Sequence, residues 1–263
     1  MTKIVSIKSL FMAMLLTVST SGIFAQAPSA TPVLDVQYTM NAFDGTNASA
    51  VVYVAGKELY VTVIAGNNDF PIEGFRADGK NVFSTSAGFD YRGLWYNPKT
   101  KKMEGNGAGE AGWVTFGFDS GTGVQTSTSI LSGQNQPDFQ SVGTFDYRKK
   151  AVVFLNADKD KIVAYSRKKP SKSSSISLSW GSISKENINP YVLGYTGVNG
   201  YEFVCLDYVN AKLVFFNRSG DQTATVKMPA SAPMNDSFAC SFTNNRAFFY
   251  NKDNRTWYGY RIF

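Results

Sequence analysis

Three Asp-Tyr pairs stand out in the chain: Asp90-Tyr91, Asp146-Tyr147 and Asp207-Tyr208. Carboxylates gathered at one end of a fold can bind a divalent cation through oxygen, or share the acid and base roles of glycoside cleavage. The chain has 263 residues and no histidine. That absence excludes Ser–His–Asp and Cys–His nucleophiles, His-ligated zinc or haem, and imidazole as a general base. Asp90, Asp146 and Asp207 are therefore the catalytic candidates, in a carboxylate-dependent hydrolase of glycosidase or lactonase type. The competing reading is structural. An Asp ahead of a turn accepts backbone N–H groups and fixes a hairpin. A catalytic site is needed once, so recurrence in several units favours the structural reading.

The other acids are less regular. Glu104 and Glu110 flank a Gly/Asn-rich stretch, Gly105 to Gly109, with the composition of a mobile loop. Asp158-Lys159-Asp160 and Asp253-Asn254 lack the spaced acids, glycine and distant glutamate of a calcium loop, so no metal site and no cofactor is expected. Three polar segments suit ligand contact better. Each pairs Asn or Asp with an aromatic ring, a combination that grips sugars or peptides by stacking plus paired polar contacts. Asn68 and Phe70 lie in the first, Asn135, Asp138 and Phe139 in the second, Asn189 and Tyr191 in the third.

The elements that must position these residues are strands. From Val33 onward, short runs of Val, Ile, Phe, Tyr, Trp and Thr alternate with Gly, Asn, Asp and Pro, which is strand-and-turn punctuation. Helix is limited to a turn near Ser184–Asn189. The runs also recur. Gly143-Thr-Phe-Asp-Tyr-Arg-Lys-Lys-Ala-Val-Val-Phe-Leu-Asn156 parallels Phe203-Val-Cys-Leu-Asp-Tyr-Val-Asn-Ala-Lys-Leu-Val-Phe-Phe-Asn217. Shorter or decayed copies end at Gly56, Asn97 and Asn251. The longer intervals leave room for extra strand pairs, among them Trp113–Phe118 and Val124–Ile130 about the turn Asp119-Ser-Gly-Thr-Gly123. Four strands per unit result, at roughly 45–50 residues each, the period of propeller blades.

The Asp-Tyr…aromatic-aromatic-Asn pattern resembles the degenerate blade repeats of secreted bacterial β-propellers, over most of Val33–Phe263. No WD, kelch or NHL signature matches, so the likeness is to an architecture. It implies an all-β, single-domain propeller over 33–263. Five blades fit the five copies, and six result if Gly74–Ser84 belongs to its own blade. The last copy lacks a fourth strand, and Val33–Met40 is unassigned. Pairing them would close the last blade and cover an exposed edge. The aspartates would then occupy one position of successive blades, with the adjacent tyrosines packed between blades and the three polar loops on one rim.

Residues 1–25 read as a secretory signal peptide: Lys3 and Lys8, an apolar run from Leu10, and Gly22-Ile23-Phe24-Ala25 before the cut. Residues 26–32 form a flexible lead. No segment reads as a membrane span, so an exported periplasmic or extracellular protein is expected. Removing the leader lowers the net charge from +6 to +4, with the basic residues in two turns, 99–102 and 167–172. That is too weak a field for nucleic acid. Cys205 and Cys240 fall on matching positions of two copies, as two buried thiols or as one disulfide. The functional expectation is a binding or scaffold module that meets a glycan, a peptide or an envelope protein through its rim loops. The alternatives are the hydrolase above and a structural envelope protein with no small ligand.

Overall fold

A computed structural model describes residues 26–41, 47–119, 123–167 and 169–263, with backbone alone at 169–172. The leader assigned to 1–25 and the middle of the Asp119–Gly123 turn lie outside the described residues. The lead over 26–32 is described, and within it the Ser29 N–H donates to the Ile262 carbonyl at 2.7 Å.

Strand β1 (Val33–Thr39) is set apart from the strands that follow it. Blade one is β2 (Asn47–Val54), β3 (Leu59–Ala65), β4 (Ile72–Phe75) and β5 (Asn81–Thr85). Blade two is β6 (Tyr91–Asn97), β7 (Lys102–Gly107), β8 (Trp113–Phe116) and, after the two-residue strands β9 (Phe118–Asp119) and β10 (Gly123–Val124), β11 (Thr128–Leu131). Blade three is β12 (Thr144–Asp146), β13 (Ala151–Leu155), β14 (Lys161–Ser166) and β15 (Lys169–Ser177). Blade four is β16 (Gly194–Tyr195), β17 (Phe203–Asp207), β18 (Lys212–Phe216) and β19 (Gln222–Lys227). Blade five is β20 (Cys240–Thr243), β21 (Arg246–Asn251) and β22 (Thr256–Arg261), completed by β1 as its outer strand.

The chain is a five-bladed β-propeller. Gly74–Ser84 falls within β4 and β5, so it makes no sixth blade. The closure matches expectation: β1 pairs antiparallel with β22, Tyr38 opposite Trp257 and Thr39 opposite Thr256. Asp35 on β1 accepts both prongs of Arg246 on β21, at 2.8 and 2.9 Å, and Arg261 on β22 at 2.8 Å. The 3-10 turn Lys185–Asn187 lies inside the expected helical segment, but helix is not limited to it: Ala55–Lys57 and Gly109–Ala111 are 3-10 turns as well.

The core explains why the strands read as continuous apolar runs. Five buried clusters sit one between each pair of neighbouring blades. Inner and middle strands are buried on both faces, and side chains alternate between faces at period 2. On β18, Leu213 and Phe215 pack toward blade five while Val214 and Phe216 pack toward blade three. On β21, Ala247 and Phe249 face blade four while Phe248 and Tyr250 face blade one. Outer strands β5 and β19 touch solvent on alternate residues, which is why they read as polar.

The Asp-Tyr copies are out of phase with the blades. Asp90 precedes the first strand of blade two, Asp146 ends the first strand of blade three, and Asp207 ends the second strand of blade four. The sequence repeat is a hairpin repeat, placed at different strands of different blades. The irregular intervals between copies follow from that shift. The tyrosines differ accordingly. Tyr91 is buried between blades one and two and Tyr208 partly buried between blades four and five, while Tyr147 is 49% exposed.

Candidate functional site

Asp146 and Asp207 do the same local work. Each ends a strand and receives N–H groups from the following four-residue turn. Asp146 Oδ1 accepts from the Arg148 and Lys149 N–H at 2.9 and 3.1 Å. Asp207 Oδ1 accepts from the Asn210 N–H at 3.0 Å, and the Asn210 amide spans both carboxylate oxygens. The fourth turn residue has positive φ in both, Lys150 at 55° and Ala211 at 51°. This is the hairpin device that recurrence favoured.

Asp146 has a second set of partners across the blade boundary. Arg218, on the turn after β18, grips it with Nη1–Oδ2 at 2.7 Å and Nη2–Oδ1 at 3.1 Å. The same guanidinium donates to the Tyr195 hydroxyl at 2.6 Å and lies 3.6 Å from the buried Glu202 carboxylate. Arg148 stands 3.7 Å from that carboxylate. Burial alone would raise the Asp146 carboxyl; Arg218 and the turn N–H reverse this and hold it below the usual carboxylate range. Burial, with Asp146 beside it, pushes the Tyr195 phenol upward.

Asp90 lies at the end of the propeller opposite Asp146, the end at which Asp207 also closes its strand. Asp90 Oδ1 accepts from the Gly66 N–H at 2.6 Å and from Arg92 Nη1 at 2.5 Å. Arg92, buried on the innermost strand of blade two, also donates to Gln140 and stacks 5.3 Å over the Phe238 ring. Those partners come from the loops entering blades three and five, so Arg92 occupies the loop-bearing end of the axis. The sequence signal was a lone cation in the apolar run Tyr91-Arg-Gly-Leu-Trp95. The three aspartates thus form no shared ring of carboxylates.

The three polar segments do share one end. In an antiparallel blade, the connections from second to third strand and from fourth strand to the next blade leave from the same side. Residues 66–71 join β3 to β4, 132–143 join β11 to β12, and 178–193 join β15 to β16. Several of their polar groups are taken up by their own or a neighbouring loop. Asn189 is fully buried; its amide donates to the Asn235 and Ser237 carbonyls and its Oδ1 accepts from the Tyr191 and Val192 N–H. Asn135 donates to the Ser132 and Gly133 carbonyls, and Asp138 accepts from the Gln140 N–H. The Asn68 carbonyl accepts from Ser86. Phe70 and Tyr191 are partly buried against inter-blade clusters, whereas Phe139 is 57% exposed.

Sequence reasoning missed Asn106 and set Glu104 at the edge of a mobile loop. The glycine-rich stretch around them is strand β7, not a loop. Asn106 is buried; it donates to Gln136 and the Ser141 carbonyl and accepts from the Gly143 N–H, tying blade two to the loop that enters blade three. Glu104 is buried and receives Arg167, Trp95 and Asn97.

The five innermost strands, β2, β6, β12, β16 and β20, enclose an axial cavity of about 260 Å³. Its wall carries Tyr53, Tyr96, Tyr147, Thr144, Ser241 and Asn244 among others, and every lining side chain is uncharged. Pro98, Tyr147 and Asn244 sit at the turns from first to second strand, so its mouth lies opposite the loop-bearing end. Both cysteines are free and buried in different clusters: Cys205 on β17 of blade four faces blade three, and Cys240 on β20 of blade five faces blade four. Burial raises both thiols, Cys240 to about 12. Among the described residues no three acidic or thiol side chains gather as a metal would need, and no helix is long and apolar enough to cross a membrane.

No protein-family model matches the chain, and no curated protein matches it. Solved structures do. A glutaminyl cyclase from Myxococcus xanthus aligns at 11% identity and TM-score 0.57, over 88% of this chain and 96% of that one. A gluconolactonase from Xanthomonas campestris aligns at 11% identity and TM-score 0.48, over 90% and 98%. A chain of a nidogen/laminin complex aligns at 11% identity and TM-score 0.44, over 70% of this chain and 65% of that one. At such identities the likeness is one of fold.

Proposed function

We propose that this chain is an exported binding propeller that engages a glycan, a peptide or an envelope protein through its loop-bearing face. The observation that carries the reading is Phe139. The residue is 57% exposed, on a loop held by its own polar side chains. Gln136 donates to the Asp138 and Phe139 carbonyls, Ser141 Oγ accepts from the Asp138 N–H, and the Phe139 carbonyl accepts from the Gly109 N–H. An exposed aromatic on a pre-ordered loop loses little entropy on binding, which is how aromatic anchors act in interfaces. The carboxylates that a hydrolase would use are held by cations or by their own turns: Asp90 by Arg92, Asp146 by Arg218, Asp207 by Asn210. The leader-like residues 1–25 support export to the periplasm or beyond.

The test compares Phe139→Ser with the wild-type protein in pull-downs from envelope extract and on glycan and peptide arrays. The variant should melt as the wild type does and lose at least tenfold in capture. In parallel, Asp90→Asn, Asp146→Asn and Asp207→Asn are assayed on aryl glycosides and lactones. Turnover by the wild type that any one of them abolishes would replace the binding reading with the hydrolase.

A further inference from the structure

The axial cavity opens away from the face that carries Phe139, and the proposed function does not use it. We propose that it is a second binding site, for a single neutral pyranose ring or a sugar end-group of that size.

Charge sets the first limit. No lining residue is acidic or basic, so a phosphate, carboxylate or ammonium group would be desolvated there without a counter-charge, a costly arrangement. The ions bonded to lining residues are already satisfied: Arg218, which donates to the Tyr195 hydroxyl, is held by Asp146 and Glu202, and Arg246, which donates to the Asn244 backbone carbonyl, is held by Asp35. Arg148 donates to the Gly197 carbonyl and lies near Glu202.

Chemistry sets the second. Tyr53, Tyr96 and Tyr147 line the cavity from three different blades. Aromatic rings pack against the C–H faces of a sugar while polar groups meet its hydroxyls. Asn244 donates its amide N–H to the Tyr60 hydroxyl, which leaves its carbonyl oxygen as an acceptor. The Thr144 hydroxyl, half-buried in the wall, adds a group that can both donate and accept.

Size and access set the third. A volume of about 260 Å³ is just below the ~300 Å³ at which pockets for drug-sized ligands begin, so one ring fits and a chain does not. Arg92 with Gln140 and Phe238 fills the loop-bearing end of the axis, leaving the turn end as the way in. Ser241 and Thr243 hydroxyls accept the Val51 and Tyr53 N–H across the junction of blades five and one, so two of the walls are pinned before any ligand arrives.

The experiment titrates the full mature chain with glucose, galactose, mannose and N-acetylglucosamine, and with glucuronic acid and glucosamine as charged counterparts. Trp95, which lines the cavity, gives an emission readout, with calorimetry as the second measurement. At least one neutral sugar should bind with a dissociation constant of about 1 mM, in keeping with a ligand of this size. Its charged counterpart should bind at least tenfold more weakly. Tyr96→Ala should weaken binding about tenfold and Thr144→Val several-fold. Tyr96→Phe, which keeps the ring, should stay within a few-fold of wild type and guards against loss of folding. Phe139→Ser should leave sugar affinity unchanged. No binding by any neutral sugar, equal binding of charged and neutral sugars, or binding lost in Phe139→Ser but kept in Tyr96→Ala and Thr144→Val would each overturn the axial site. None of these outcomes touches capture by the loop-bearing face, which the envelope pull-down reads separately.

Discussion

Asp146 and Arg218 form a two-pronged ion pair that joins blade three to blade four, with N–O distances of 2.7 and 3.1 Å. The Asp146 side chain is 2% exposed and Arg218 26%, so the pair is screened little by solvent. Removing the cation strands a buried carboxylate. Arg218→Met should cost roughly 2–4 kcal/mol at pH 7. The loss should shrink near pH 4, where the stranded carboxyl can take up a proton. A thermal or urea melt of the variant at the two pH values checks this, and an equal loss at both would contradict it.

The same chemistry fixes the pH profile of the whole molecule. Asp146 and Asp35 are both held below the usual carboxylate range, against burial, by the arginines that grip them. A depressed folded-state value means stability that is present above the unfolded value, near 4, and is lost as pH falls through the folded value. With no histidine in the chain, no side chain has an ordinary titration between about pH 5 and 8. The melting temperature should therefore be flat across that window and fall steeply only below about pH 4. A step near pH 6 to 7 would contradict the reading.

Strand β1 supplies the outer edge of blade five, and Asp35 is its electrostatic latch to β21 and β22. Charge-assisted hydrogen bonds of this kind contribute about 1.5–3 kcal/mol together with their neighbours. Asp35→Ala should lower stability by an amount in that range. It should also speed hydrogen exchange of the β22 amides relative to those of blade three. Uniform loss of protection across all blades would show that β1 closes the ring without the latch.

Much of this was legible in the sequence because hairpins are local. Asp146 and Asp207 carry their turn chemistry within four residues, so the hairpin repeat and the closing strand could be read. Blade phase could not be, since it depends on which strand lies nearest the axis, and β12 and β17 look alike as sequences while occupying different depths. Glu104 and Asn106 were hidden for a related reason. Glycines at 105 and 107 read as a loop, but they are present because backbone and rings of the neighbouring strand and loops press against β7: a Cβ at Gly105 would lie 2.5 Å from the Gly93 carbonyl oxygen. The uncharged axial cavity is assembled from residues of all five blades, so no local spacing announces it.

Cys205 and Cys240 illustrate the same limit, with a direct consequence. Equivalent by sequence register, they lie on different blades and in different clusters, Cys205 of blade four toward blade three and Cys240 of blade five toward blade four. Buried thiols raised by desolvation carry almost no thiolate at pH 8. Native protein should therefore resist alkylation by iodoacetamide for hours, and both thiols should react at once in denaturant. Mass spectrometry should find two free thiols after exposure of the folded protein to an oxidising buffer. An intramolecular disulfide would require blade four to be rearranged from the structure described.

Gly93 sets the spacing between blades two and three at the axis. A Cβ there would stand 2.3 Å from Asn106 Oδ1, 2.5 Å from the Gly143 nitrogen and 2.6 Å from the Gly143 carbonyl oxygen. These are backbone atoms and a buried amide that already holds Gln136, Ser141 and Gly143. None can move without breaking a hydrogen bond that stays unmet inside the protein. Gly93→Ala should therefore destabilise by about 2–3 kcal/mol, from overpacking plus an orphaned polar group. Ordinarily a strand glycine replaced by alanine gains stability, so the sign alone is diagnostic. Asn106→Ala should cost a similar amount. The double variant Gly93→Ala/Asn106→Ala should cost less than the two single losses combined, because removing the amide makes room for the new methyl. A double-mutant cycle by urea denaturation measures that coupling, and strict additivity would mean that the Gly143 backbone, rather than Asn106, sets the closest approach of the two blades.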